Sequence, residues 1–174
     1  MKMIRKMKNI SKYFAFLLIG VSSTSFAQSI ATASIGVTIV TPIGITKSVD
    51  MDFGNIATGM SAGGTAVLGT DGSRSTTGDA TLPSAKGSPK AAAFIVTGAG
   101  NYTYTISLPS SSIRMNGSTA NVTIGSFVSS PASIGTLTSG TQVVNVGATL
   151  TIPPSTAADI YTNSSDLSIT VNYN

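Results

Sequence analysis

Residues 91–108 read Ala91-Ala-Ala-Phe-Ile-Val-Thr-Gly-Ala-Gly-Asn-Tyr-Thr-Tyr-Thr-Ile-Ser-Leu108, and both halves alternate large apolar with small or polar side chains. Phe94 and Val96 fall on one face of an extended chain, as do Tyr102, Tyr104, Ile106 and Leu108 on the next run. Between them, Gly98-Ala-Gly-Asn101 supplies residues that tolerate positive φ. The spacing therefore predicts a β-hairpin.

The same vocabulary of Ser, Thr, Gly, Val, Ile and Ala extends in both directions, and no stretch carries the periodicity of a long amphipathic helix. Further strands are expected at Met51 to Ile56, Thr65 to Leu68, Ser112 to Met115, Asn121 to Phe127, Gln142 to Ile152 and Leu167 to Tyr173. Many short strands separated by turn residues predict an all-β fold, an immunoglobulin-like antiparallel β-sandwich. The polar, glycine-rich run from Gly69 to Lys90 reads as a long surface loop with one short strand near Thr81-Leu82. An eight-stranded membrane barrel would also fit the length. Seven aromatics after residue 27 are too few for two interfacial girdles, which argues against it.

The start of the chain is of another kind. Lys2, Arg5, Lys6, Lys8 and Lys12 precede the apolar run Tyr13 to Val21, and Ser25-Phe-Ala27 places small residues before a cut between Ala27 and Gln28. Residues 1–27 are expected to be a signal peptide and residues 28–174 a single domain, with no transmembrane segment in the mature chain. Removing the leader takes five of the ten basic residues away and leaves five against six aspartates. The mature net charge is then minus one, which gives no basis for nucleic-acid binding. The chain has no cysteine, so the domain is held without disulfides in an exported location, whether periplasm, cell surface or extracellular medium.

His, Cys, Glu and Trp are all absent, which removes the Ser-His-Asp triad, the Cys-His pair, the usual zinc ligand sets and the glutamate acid/base pair. Ser84 and Ser88 bracket Lys86, a formal Ser-Lys arrangement that a serine-rich segment produces by coincidence. Asp50 and Asp52 would share one face of an extended chain, but calcium needs six or more oxygen ligands. The expectation is a noncatalytic protein with no cofactor and no metal.

Three segments together resemble a family of exported bacterial domains of unknown function that is similar to Mat/ECP-type fimbrial subunits. They are Ala31-Thr-Ala-Ser-Ile35 through Pro42-Ile-Gly-Ile-Thr46 to Met51-Asp-Phe-Gly-Asn-Ile56; Ala93-Phe-Ile-Val-Thr-Gly98 with Tyr102 to Pro109; and Val146-Gly-Ala-Thr-Leu150 with Leu167 to Asn174. Where the family commonly has a Gly ahead of Tyr161, this chain has Asp159-Ile160. The resemblance implies a β fold and export, and points to a fimbrial subunit.

The two ends of the mature chain give that implication physical content. Ala31, Ala33, Ile35, Val37 and Ile39 alternate along Ser29 to Val40, a segment that either donates a strand to a neighbour or pairs as the first strand of its own sheet. Leu167, Ile169, Val171 and Tyr173 alternate along the closing strand, which resembles the last strand of chaperone-usher pilins, the strand that a periplasmic chaperone pairs with. The expected function is a structural or adhesive surface subunit that self-assembles by strand addition. The alternative is a monomeric secreted module that recognises carbohydrate or protein through residues 69–90.

Overall fold

The computed structural model describes residues 27–164 and 167–174, so all of the expected leader but Ala27 falls outside the described residues. The chain divides into two units, residues 1–38 and residues 39–174. In the first, the described residues 27–38 form no helix or strand and are exposed throughout. The second is all-β and antiparallel, without helix among its described residues.

Its strands are β1 (Gly44–Val49), β2 (Ala57–Thr58), β3 (Gly64–Leu68), β4 (Arg74–Gly78), β5 (Ala80–Thr81) and β6 (Ala92–Thr97), followed by β7 (Thr103–Ser107), β8 (Ile113–Asn116), β9 (Asn121–Ser130), β10 (Ile134–Thr136), β11 (Thr141–Ile152) and β12 (Thr170–Tyr173). The large sheet is organised on β11. Along one edge of β11, residues Thr141 to Val146 pair with β6 and Ala148 to Ile152 pair with β3. Along the other edge, Asn145 to Thr151 pair with β9. β1 extends the sheet beyond β6, β4 beyond β3, and β8 beyond β9. The smaller sheet runs β10-β7-β12, and β2 pairs with β5.

Period-two burial shows which face of each strand looks inward. Val144, Val146, Ala148, Leu150 and Ile152, all on one face of β11, are buried. The first two pack with Ala92, Phe94 and Val96 of β6, Tyr104 and Ile106 of β7, Val171 of β12 and Leu137. The last three pack with Ala66 and Leu68 of β3, Val122 and Ile124 of β9, Ile113 of β8, Ala80 and Phe53. The first of these clusters joins the two sheets face to face, which makes the body a β-sandwich.

Two expectations about the chain path are corrected. The run through Gly98-Ala-Gly-Asn101 is not a hairpin turn, because β6 pairs with β1 and β11 while β7 pairs with β10 and β12. Asn101, at φ 65°, turns the chain from one sheet into the other. Alternation on both sides of a glycine-rich turn is common to a hairpin and to a sheet crossing, so the pattern alone does not separate them. Residues 69–90 are also not one loop. Arg74 to Gly78 return as β4 against β3, with Thr65 and Thr77 hydroxyls 2.7 Å apart, while the expected short strand is β5 at Ala80–Thr81. The Met51 to Ile56 strand reduces to a single bridge between Asp52 and Lys90.

One glycine explains how the small sheet accommodates its largest core side chain. Gly135 of β10 lies opposite Tyr104 of β7, and a Cβ there would run into the Tyr104 ring and the Gln142 amide. Tyr104 is fully buried, its hydroxyl donates to Gln142 Oε1 at 2.7 Å, and burial pushes its pKa up. Removing side-chain volume from the core should separate inward from outward positions. Leu68→Ala is expected to cost about 2–5 kcal/mol in urea unfolding, whereas Val67→Ala, on the outer face of the same strand, should fall within about 0.5 kcal/mol of the parent.

Candidate functional site

The acidic residues serve local structure. Lys47 Nζ pairs with Asp50, while Asp52 Oδ1 accepts from the Gly54 N–H at 2.7 Å. Asp71 Oδ1 accepts from the Ser73 N–H at 2.9 Å and its hydroxyl at 2.6 Å, bonds that hold the Asp71 carboxyl below its ordinary value. Asp79 Oδ2 accepts from the Ala62 N–H at 2.8 Å. Each of these carboxylates is thus engaged by a backbone N–H or a lysine close to it, and no group of three metal-ligating side chains converges among the described residues. Around Lys86, the backbone N–H donates to Ser84 C=O and the C=O accepts from the Asn55 N–H at 3.0 Å, which ties the segment down.

Asp159 fastens two distant stretches together. Its carboxylate accepts from the Ser118 hydroxyl and N–H, and from its neighbour Ile160 N–H at 2.8 Å. The Ser118 hydroxyl, then the Ser118 N–H, hold its carboxyl below the ordinary aspartate value. Tyr161 Oη donates to Ala157 C=O at 2.6 Å, and Asn116 and Thr162 exchange backbone bonds at 3.0 and 3.1 Å. Asp159 is therefore the clasp that docks this segment on the β8–β9 turn.

The two ends singled out by their alternation are built differently from each other. In the closing stretch, Val171 is buried in the sandwich core, and Leu167, Ile169 and Tyr173 pack half-buried against it. Residues 170–173 pair with β7 alone, so β12 is an edge strand of the small sheet. The Tyr173 hydroxyl accepts from the Ala99 N–H at 2.6 Å and donates to Thr41 C=O at 2.7 Å. Its ring meets Tyr102 at 5.6 Å between centroids, tilted by 59°. Gly98 makes room for this hydroxyl, since a Cβ there would collide with it. One side chain thus ties the end of β12 to the sheet crossing and to the chain just before β1.

No residue from 27 to 43 lies in a strand, and Ala31 and Ala33 are exposed. Ile35, Val37 and Ile39 are 99%, 87% and 90% exposed. Among the described residues, the first strand is β1, which begins at Gly44 and pairs with β6. The sequence signal for strand was present, and what it lacked was any indication of which sheet would receive it.

Two measurements follow. Tyr173→Phe removes both hydroxyl contacts and should lower unfolding free energy by about 1–2 kcal/mol. Asp159→Asn should lower the melting temperature at neutral pH. Because the folded carboxyl titrates below the unfolded one, its contribution is present above the unfolded value and lost as pH falls through the folded one, so the two melting curves should converge in acid.

A protein-family model described as a domain of unknown function, DUF4402, matches residues 43–173. The match begins one residue before β1, so Ala31 to Ile35 lie outside it, and it takes in every strand of the body. No curated protein and no solved structure matches the chain. Since the matched residues make up most of the chain, it belongs to the DUF4402 family of domains of unknown function.

Proposed function

We propose that this protein is an exported, noncatalytic subunit of a surface structure of the fimbrial kind, with adhesion as an accessory role. The observation that carries the reading is the exposed aliphatic row of the N-terminal arm, beside a body that has its own core. Burying an aliphatic side chain of this size gains about 1.5–3 kcal/mol. Ile35, Val37 and Ile39 together hold enough unused driving force to support association. A basic, apolar leader ending at Ala27 would deliver the chain across the inner membrane with Gln28 at its new N-terminus. The arm would then be a free end, and a periplasmic chaperone is the partner suited to shielding aggregation-prone strand surface before assembly.

A monomeric binding module acting through residues 69–90 has less to support it. Arg74 to Gly78 are committed to β4, and Asn55 Nδ2 donates to Ala85 C=O at 2.9 Å. What remains there is a shallow, open depression between Thr70 to Gly72 and Pro89 to Ala91.

Light scattering on the mature chain, Gln28 to Asn174, tests the reading. The parent is expected to form concentration-dependent oligomers, and Ile35→Asp/Val37→Asp to remain monomeric with an unchanged melting temperature. A parent that stays monomeric at every concentration would sink the proposal. A double variant that melts well below the parent would show instead that the arm belongs to its own fold.

A further inference from the structure

Asn116-Gly117 is the one Asn-Gly step in the chain. In such a step no side chain on the second residue shields the backbone nitrogen, and the freedom of glycine lets that nitrogen reach the asparagine side chain, so the pair is unusually prone to deamidation. We infer that this step is a deamidation site held closed by the docked segment of residues 157–163, and that undocking of the segment is converted there into a permanent covalent change.

The reaction needs nothing but solvent. The Gly117 nitrogen attacks Asn116 Cγ; an N–C bond forms, the Cγ–Nδ2 bond breaks, and ammonia leaves with the proton that the Gly117 nitrogen gives up. Water then opens the five-membered imide at either carbonyl, leaving aspartate or isoaspartate at 116. Asn116 is exposed, so water reaches it.

The fold opposes the attack in several ways. Asn116 ends β8, where it pairs with Asn121, and extended backbone keeps the following nitrogen turned away from the side-chain carbonyl carbon. The Asn116 N–H and C=O are both committed to Thr162, at 3.0 and 3.1 Å, which resists the rotation that would bring the nitrogen round. The nucleophile is itself engaged, because the Gly117 N–H donates to Ala120 C=O at 2.9 Å, and the next amide, Ser118 N–H, is held by Asp159. Residues 159 and 161 also lie against Gly117, where a Cβ would meet the Tyr161 ring and the Asp159 carboxylate.

Much of this restraint comes from a segment that is lightly held. Residues 157–160 are exposed, and Tyr161 alone among residues 157–163 packs against the core. Such a segment opens at lower free energy than the body around it. Once Asn116 has reacted, redocking is impaired. Isoaspartate adds a methylene to the main chain and shifts the Gly117 and Ser118 amides from their partners, and either product puts a carboxylate two residues from the serine that Asp159 grips.

Peptide mapping that separates asparagine, aspartate and isoaspartate at 116, during incubation of residues 28–174 in mildly alkaline buffer, tests the inference. The parent should react far more slowly than a free peptide of residues 111–121. Asp159→Ala and Thr162→Pro loosen the segment through different bonds, and each should accelerate the reaction several-fold. Asn116→Gln should give no product on the same timescale. Tyr173→Phe weakens the body elsewhere and should leave the rate unchanged. A parent as labile as the peptide, or Asp159→Ala and Thr162→Pro chains no faster than the parent, would overturn the inference. Equal acceleration by Tyr173→Phe would overturn it as well, by showing that the site opens only when the whole body unfolds.

Discussion

The body depends on the pairing and burial of β11. Twelve residues long, it receives β6 and β3 in succession on one edge and β9 on the other. Its inner face supplies Val144 and Val146 to one core and Ala148, Leu150 and Ile152 to the other. A single strand can serve two cores because the side-chain period of two keeps these residues on one face along its whole length. A slip of one residue would turn all five toward solvent, so the register of β11 is set from both sides at once. The pairing with β9 shifts register between Gly147 and Thr149, and Ser126, at φ 48°, lies in the bulged stretch of β9 opposite.

That arrangement explains how much of the fold the sequence disclosed. Gln142 to Ile152 reads as a strand because its alternation is long, and β3, β6, β7, β8 and β9 were legible within a few residues of their ends for the same reason. The β4 strand was hidden, since Arg74 to Gly78 carry no apolar residue and are held by pairing with β3 rather than by burial. The sheet assignment of β6 and β7 was hidden too, because alternation shows a face but never a partner. Closing-strand residues Leu167, Ile169, Val171 and Tyr173 were recognisable as apolar alternation. The role of the Tyr173 hydroxyl was not, because its partners Ala99 and Thr41 lie 74 and 132 residues away in sequence.

The same limit applies to the arm. Its sequence describes a strand as clearly as that of β6 does, yet the segment has no sheet among the described residues. Composition separates it from an ordinary solvated tail: a disordered terminus is poor in β-branched aliphatics, whereas Ile30, Ile35, Val37, Ile39 and Val40 fall within eleven residues here. A folded protein usually protects strand-forming sequence by pairing it, covering it or charging it. This arm lies in no strand among the described residues and contains no Lys, Arg, Asp or Glu from Gln28 to Ile45.

An unprotected strand and an unprotected edge in one molecule are a hazard if the chain is meant to stay alone, and a specification if it is meant to join copies. Net charge does not oppose association, because the expected mature chain carries only minus one. Within the body, the Tyr173 hydroxyl holds Thr41 at the end of β12, so the last side chain of the closing strand and the residues leading into β1 are fastened at one place.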